Sequence, residues 1–211
     1  MRSLLLAGVA AIVATPAFAA QISAFSQNSG SNTVTATDNG TTTTISIADA
    51  SVSVSQLFGN PAIPAASFDM TATSIDAATT VLSAVIQHYT GNFCITSAAG
   101  CGGINYLSGT FTDAAFGGLG GPGLVINTNN PPDTLTLTSD VISANNLTAP
   151  NSFSLGFSNL SPALHIDGTT IAAFTASFAG TASATTIVPE PATMALLGIG
   201  LLGLGMVRAR R

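Results

Sequence analysis

The sequence predicts an all-β fold, and three observations carry that prediction. Threonine and serine are abundant in the 211-residue chain, and threonine is β-branched, which favours strands. Lysine and glutamate, the usual residues of exposed helix surfaces, are almost missing. Short runs of alternating apolar and polar residues are separated by glycine, proline, asparagine and aspartate, which are typical of turns.

The clearest local pattern is a hairpin near the start of the body. Two alternating runs, 33–37 and 41–47, flank the tripeptide Asp38-Asn39-Gly40. An Asn-Gly pair suits the type I′ turn, whose twist matches that of the strands on either side. We therefore expect two paired strands here.

Further strand-like runs follow at regular spacing. Residues 75–89 are ambiguous because their apolar positions would also line one face of a helix, but their β-branched residues and the missing charged face favour a strand. Five glycines and a proline within 117–123 predict a loop. The remaining predicted strands are 50–57, 66–75, 93–96, 106–111, 124–127, 134–138 and 152–157, and a second tight hairpin is predicted over 164–178 with its turn at Asp167-Gly168.

About ten short strands with turns between them indicate a single β-sandwich or jelly-roll-like domain. We place this domain at residues 20–180, and the alternation does not choose between the two topologies. Residues 181–188 carry few large side chains and predict a flexible tether.

The N-terminus has the parts of a secretory signal peptide. A short positive segment is followed by an apolar run over residues 3–13. The small residues Ala17 and Ala19 match the positions that signal peptidases read, so we expect cleavage between Ala19 and Ala20. Residues 1–19 are then removed; the alternative, an uncleaved anchor, is disfavoured because the run is too short to span a bilayer.

The C-terminus predicts a membrane anchor preceded by a rigid turn. Pro189, Glu190 and Pro191 come directly before an uncharged apolar run at 192–207. As a helix this run covers about 24 Å, slightly less than the ~30 Å hydrocarbon core, so we expect a transmembrane helix. Positive charge resists translocation, which places the end of the chain in the cytoplasm and the body outside. The basic cluster at this end is Arg208, Arg210 and Arg211.

The C-terminal segment 188–211 resembles the PEP-CTERM sorting signal of Gram-negative bacteria. It has the triplet Pro189-Glu190-Pro191, then the apolar run, then the basic cluster, in the order of that signal. The resemblance implies that 189–211 are a sorting signal read by a membrane-embedded exosortase, which cuts near the triplet after export and a transient stay in the inner membrane. Such proteins usually accompany exopolysaccharide production and reach the cell surface or the exterior. The alternative is an ordinary anchor that is not cut.

The charge distribution excludes several classes of partner. Between Arg2 and Arg208 the chain has no lysine or arginine, and it carries eight aspartates. A body without cations cannot neutralise phosphates, so we expect no nucleic-acid partner. Neutral glycans, or acidic glycans bridged by divalent cations, stay open as ligands.

The two cysteines, Cys94 and Cys101, stand seven apart in a glycine-containing loop. An exported protein passes through an oxidising compartment, so we expect one disulfide, worth about 2.5 kcal/mol in the loop-entropy account. Two unpaired thiols are the alternative. No metal site is predicted, because no second Cys/His pair has ligand spacing.

No catalytic residue is predicted. We interpret His88 and His165 as ordinary strand residues. The segment 156–160 departs from the nucleophile-elbow pattern because position 160 is leucine. No cofactor is expected; calcium at the turns 38–40 or 129–133 is the one alternative, because these turns offer oxygen ligands.

These observations predict a non-enzymatic, exported protein that is processed at its C-terminus and retained near the exopolysaccharide or biofilm matrix. The first alternative is an extracellular carbohydrate-binding module, although the chain has no tryptophan and only Tyr89 and Tyr106 as tyrosines to stack on sugars. A secreted hydrolase is the second alternative.

Overall fold

The computed structural model describes residues 19–28, 32–118, 123–127 and 130–186. The predicted signal peptide up to residue 18, the predicted transmembrane helix at 192–207 and the rest of the sorting signal lie outside the described residues. In the described part, no helix is long and apolar enough to cross a membrane.

The described residues are all-β, as predicted, with 73% of them in strands. One 3-10 turn, Ala144–Asn146, is the single helical element of this part of the chain. The strands are β1 (Ala19–Gln27), β2 (Val34–Asp38), β3 (Thr43–Leu57), β4 (Ile63–Ser74), β5 (Thr79–Val81), β6 (Ala84–Ala98), β7 (Gly102–Gly118), β8 (Gly123–Asn127), β9 (Thr134–Thr138), β10 (Thr148–Ser161), β11 (Ile166–Asp167), β12 (Thr170–Ile171) and β13 (Phe174–Thr185).

Eight strands close into a barrel. The order of hydrogen-bonded neighbours is β6-β4-β3-β1-β13-β10-β8-β7, and β7 pairs again with β6. The sandwich or jelly-roll topology is not confirmed, because these strands join one continuous antiparallel sheet rather than two facing sheets. Closing the ring leaves its strands without a free edge.

Five short strands lie outside the ring. β2 pairs with β3 and β13, β5 extends β6, and β9 pairs with β7 next to β8. β11 and β12 form a separate hairpin.

The barrel interior is filled with aromatic side chains. Strict alternation along the strands turns apolar residues inward and hydroxyl-bearing residues outward. Phe93 and Phe153 stack with ring centroids 4.0 Å apart, and Phe68 lies 5.0 Å from Phe178. A Cβ at Gly180 would lie 2.4 Å from the Phe25 ring, so only glycine leaves the space that this ring occupies.

The predicted N-terminal hairpin is confirmed as β2 and β3. In its turn the Asn39 side chain accepts hydrogen bonds from the backbone N–H groups of Thr41 and Thr42, and Gly40 has a φ of 83°. The predicted strand 50–57 is not separate but continues β3 past a register shift at Asp49.

Within 75–89, residues 79–81 and 84–89 form strands and no residue is helical, so the preference for a strand over a helix is confirmed. β5 and β6 are joined by Leu82 and Ser83, which both adopt positive φ. Of the predicted loop at 117–123, its first two residues and its last residue belong to strands, and 119–122 lie outside the described residues.

The predicted tether at 181–188 is wrong for residues 181–185. They form the last part of β13 and pair with β1 on one side and β10 on the other. Ala182 is buried and stands opposite Phe153 in the register. The small side chains are needed there because the strand faces large aromatic rings, so missing bulk did not mean a linker.

Candidate functional site

The register of the strands defines two ends of the barrel. At the first, which we name the termini end, Ala19 and Thr148 both pair with Thr185, and the turn 58–62 and residues 139–147 lie nearby. The opposite end, which we name the hairpin end, carries the turns 39–42, 82–83 and 167–170. The two ends are about 36 Å apart along β13, at ~3.3 Å per residue.

Both predicted processing sites adjoin the termini end. Ala19 and Ala20 are the first residues of β1, and Ala20 pairs with Ala184. Ala17 lies outside the described residues, as do the sorting triplet Pro189, Glu190 and Pro191 and the basic cluster Arg208, Arg210 and Arg211. Cleavage after Ala19 would leave the remaining pairs of β1 intact.

The predicted disulfide between Cys94 and Cys101 is confirmed, with a Cα–Cα distance of 5.7 Å. It holds the β6–β7 turn against the outer wall of the barrel. The same turn is fixed by Asp49, whose Oδ1 accepts a hydrogen bond from the Gly100 backbone N–H at 2.6 Å. Asp69 in turn accepts from the Asp49 backbone N–H.

The carboxylate of Asp69 lies close to both sulfur atoms, with all three potential ligand atoms within 4.8 Å of one another. This geometry alone does not make a metal site. Both sulfurs are committed to the disulfide, so neither is the thiolate that binds metal ions.

A groove of about 320 Å³ crosses the outer wall over β6, β7 and β9. Its floor is a row of polar side chains on three adjacent strands, Asn92, Thr110 and Thr136. Next to this row, the hydroxyls of Ser108 and Thr138 are hydrogen-bonded at 2.8 Å. The hydroxyls of Thr110 and Thr136 have no partner among the described residues and are free to bind a ligand.

The disulfide and Asn105 close one side of this groove. The Asn105 side chain donates to Ser108 Oγ at 2.9 Å, and its Oδ1 is buried without a hydrogen-bond partner in the described part of the chain. The sequence analysis did not identify these residues as a site. The alternation of apolar and polar residues in β7 and β9 predicts which side chains point outward from each strand. It does not predict that the two strands are neighbours, so the groove could not be found from the sequence.

The structure pairs His88 with Asp76, which the sequence did not predict. His88 Nδ1 lies 2.6 Å from Asp76 Oδ2, and the backbone N–H of His88 donates to Asp76 Oδ1. In the described residues no hydroxyl is hydrogen-bonded to the other ring nitrogen. His165 lies elsewhere, with its Nδ1 at 2.9 Å from the Ala163 carbonyl oxygen.

A buried polar network lies beside this pair at the hairpin end. The Gln87 amide donates to the Asp76 carbonyl at 2.8 Å, and the Tyr89 hydroxyl donates to Gln87 Oε1 at 2.9 Å. Thr43 Oγ1 donates to the Ile171 carbonyl at 2.6 Å. Burial raises the pKa of Tyr89 well above its usual value. These contacts satisfy the hydrogen bonds of polar groups inside the barrel and close its hairpin end.

Comparison with known proteins identifies the tail. Residues 188–211 match the family model of the PEP-CTERM protein-sorting motif. No curated protein and no solved structure matches the chain. The motif implies export, a transient C-terminal membrane anchor and processing by an exosortase. The chain therefore carries the PEP-CTERM sorting motif at its C-terminus, which indicates an exosortase-sorted extracellular protein.

Proposed function

We propose that this chain is a non-catalytic protein of the exopolysaccharide or biofilm matrix, delivered there by its sorting tail. The observation that carries the proposal is the PEP-CTERM motif joined to a barrel with a filled interior and an outer wall rich in hydroxyl groups. Export machinery and the exosortase act on its two ends, and the barrel is the part that remains outside.

The outer wall supports contact with polysaccharide through hydrogen bonds rather than ion pairs. The body has no lysine or arginine to pair with acidic sugars. Threonine and serine hydroxyls can both donate and accept, which suits sugar hydroxyls. The rings of Phe93 and Phe153, and of Phe116 and Phe174, stack on one another inside the barrel, so they are not exposed to stack on a bound sugar.

Retention in the matrix tests this proposal. We would measure how the protein partitions between matrix and medium in cells that make exopolysaccharide and in cells that do not. The expected result is retention in the matrix of producing cells and release into the medium of the others. The same distribution in both would contradict a matrix role.

A second candidate, a carbohydrate-binding module, is favoured by the groove over β6, β7 and β9. The free hydroxyls of Thr110 and Thr136 face this groove and can bind a neutral glycan. The near-isosteric double substitution Thr110→Val and Thr136→Val should abolish glycan-array binding, whereas Thr35→Val on β2 should not change it. Binding that survives the double substitution but is lost in Tyr106→Ala would move the site to the tyrosine.

Enzymatic activity is the least supported function. A secreted hydrolase would have to use the exposed pair of His88 and Asp76. Turnover of any glycan or ester that disappears in His88→Ala would argue for it, and turnover unchanged in His88→Ala and His165→Ala would exclude a histidine mechanism.

A further inference from the structure

We propose that the termini end of the barrel faces the membrane while the sorting tail is anchored, with the lipid headgroups as its partner, a placement that depends on the proposed sorting of the tail. The hairpin end then points away from the bilayer. Two features of the chain carry this orientation: the short link to the tail and the fixed exit of β13.

The link between barrel and tail is short. β13 ends at Thr185, and Thr186 is still buried at 8% exposure. Two residues separate Thr186 from Pro189, so even a fully extended chain covers at most about 11 Å. The apolar run starts directly after the triplet at Ala192, and an extended chain from Thr186 to Ala192 covers at most about 22 Å. Part of this length crosses the headgroup layer, which is ~5–8 Å thick, so the barrel stays within about 15 Å of the headgroups.

The exit of β13 from the barrel is fixed in direction. After the expected removal of Ala19, β1 pairs with β13 up to Ala184 through Ala20, and β10 pairs with its last residue through Thr148 opposite Thr185. The Thr185 hydroxyl also donates to the Pro150 carbonyl. A strand held on both sides cannot swing, so the termini end leads toward the membrane.

Fluorescence quenching by the bilayer tests the orientation. The precursor without its signal peptide, residues 20–211, would be reconstituted in phosphatidylethanolamine–phosphatidylglycerol vesicles with a fluorophore on an added cysteine, at Ala62→Cys on the termini end or Ala77→Cys on the hairpin end. Both substitutions replace an exposed alanine, and the two native cysteines are bonded to each other, so the added thiol is the only free one. Vesicles with and without a headgroup-proximal quencher lipid are compared.

We expect the quencher lipid to remove the fluorescence of the Ala62→Cys label and to leave that of the Ala77→Cys label. A spacer of about twelve Gly/Ser residues after Thr186 should weaken the quenching at position 62, because it lets the barrel leave the surface. Equal quenching at both positions, or stronger quenching at position 77, overturns the orientation alone. A precursor that does not attach to vesicles also overturns the anchoring on which the proposed function depends.

Discussion

The two ends of the barrel are closed by different chemistry. The hairpin end is closed by hydrogen bonds among buried polar groups, chiefly Gln87 with Tyr89. The termini end is closed mainly by apolar side chains, among them Leu57, Ile142 and Leu147, although Asn151 and Thr186 are also buried there. We call these two closures the polar cap and the apolar cap. The difference teaches that the same alternating wall supports a hydrogen-bonded cap at one end and a mainly hydrophobic cap at the other, next to the segments that we expect to be removed during export.

Breaking the polar cap should have the largest effect. Gln87→Ala leaves the Tyr89 hydroxyl and the Asp76 carbonyl without their partner and opens a cavity, so the free energy of unfolding should fall by about 3 kcal/mol. Denaturant titration of the mature protein measures this. The exposed control Gln56→Ala should cost about 0.5 kcal/mol or less. Equal losses in both variants would show that the network does not close the barrel.

The apolar cap should be somewhat less sensitive. Leu147 is buried at 7% exposure beside the 3-10 turn, and Leu147→Ala should lower the free energy of unfolding by about 2 kcal/mol. The same titration checks it, with the exposed Ala144→Gly as control. A loss larger than that of Gln87→Ala would reverse the comparison between the two ends.

Removing one hydroxyl from the polar cap should lower the free energy of unfolding by a smaller amount, and this loss should depend on pH. Tyr89→Phe should cost about 1 kcal/mol near neutral pH, because Gln87 loses a donor. Burial raises the pKa of Tyr89 above that of the unfolded chain, which is about 10. The stability that Tyr89 contributes is therefore fully present below pH ~10 and is lost as the pH rises beyond it.

Unfolding measured between neutral and strongly alkaline pH separates the two proteins. The unsubstituted protein should lose stability more steeply than Tyr89→Phe once the unfolded-state tyrosine begins to ionise. Parallel curves for the two proteins would contradict a buried, protonated Tyr89.

The smallest expected effect is a stabilisation at the tip of the β5–β6 hairpin. Leu82 has a φ of 50° and is 93% exposed, and leucine adopts this conformation at a cost. Leu82→Asn should raise the free energy of unfolding by about 0.5 kcal/mol, because asparagine tolerates the left-handed region. The matched control Val81→Asn keeps the strained leucine and should not stabilise the protein. A loss of stability in Leu82→Asn would mean that the leucine side chain has a structural contact.

Local features of the fold were predictable from the sequence, and long-range features were not. The hairpin around Asn39-Gly40 and the disulfide of Cys94 and Cys101 depend on neighbouring residues, and both are confirmed. The predicted type I′ turn is wrong, because the turn spans residues 39–42 and Asn39 does not have the positive φ that this type requires. The barrel closes because β6 pairs with β4 on one side and with β7 on the other. This closure depends on which strands become neighbours, and the sequence does not show that. Alternating threonine and apolar residues predict a strand but do not choose its partner.

The same limit explains the errors at the site level. Residues 181–185 carry no bulky side chain but form a strand, and the pairing of Ala182 with Phe153 that places them in the sheet cannot be read from the sequence. The groove row of Thr110 and Thr136 and the pair of Asp76 and His88 also bring together residues distant in the chain. The sorting tail was found because its triplet, apolar run and basic end are contiguous.

Mass spectrometry of both termini tests the central claim most directly, on protein recovered from the cell exterior with and without exosortase activity. The expected mature chain begins at Ala20 and has lost the arginine cluster at 208–211 when the exosortase is active. Trypsin should find no site within it, because no lysine or arginine lies between Arg2 and Arg208. An exterior protein that retains its intact arginine-rich C-terminus in exosortase-competent cells would contradict the account.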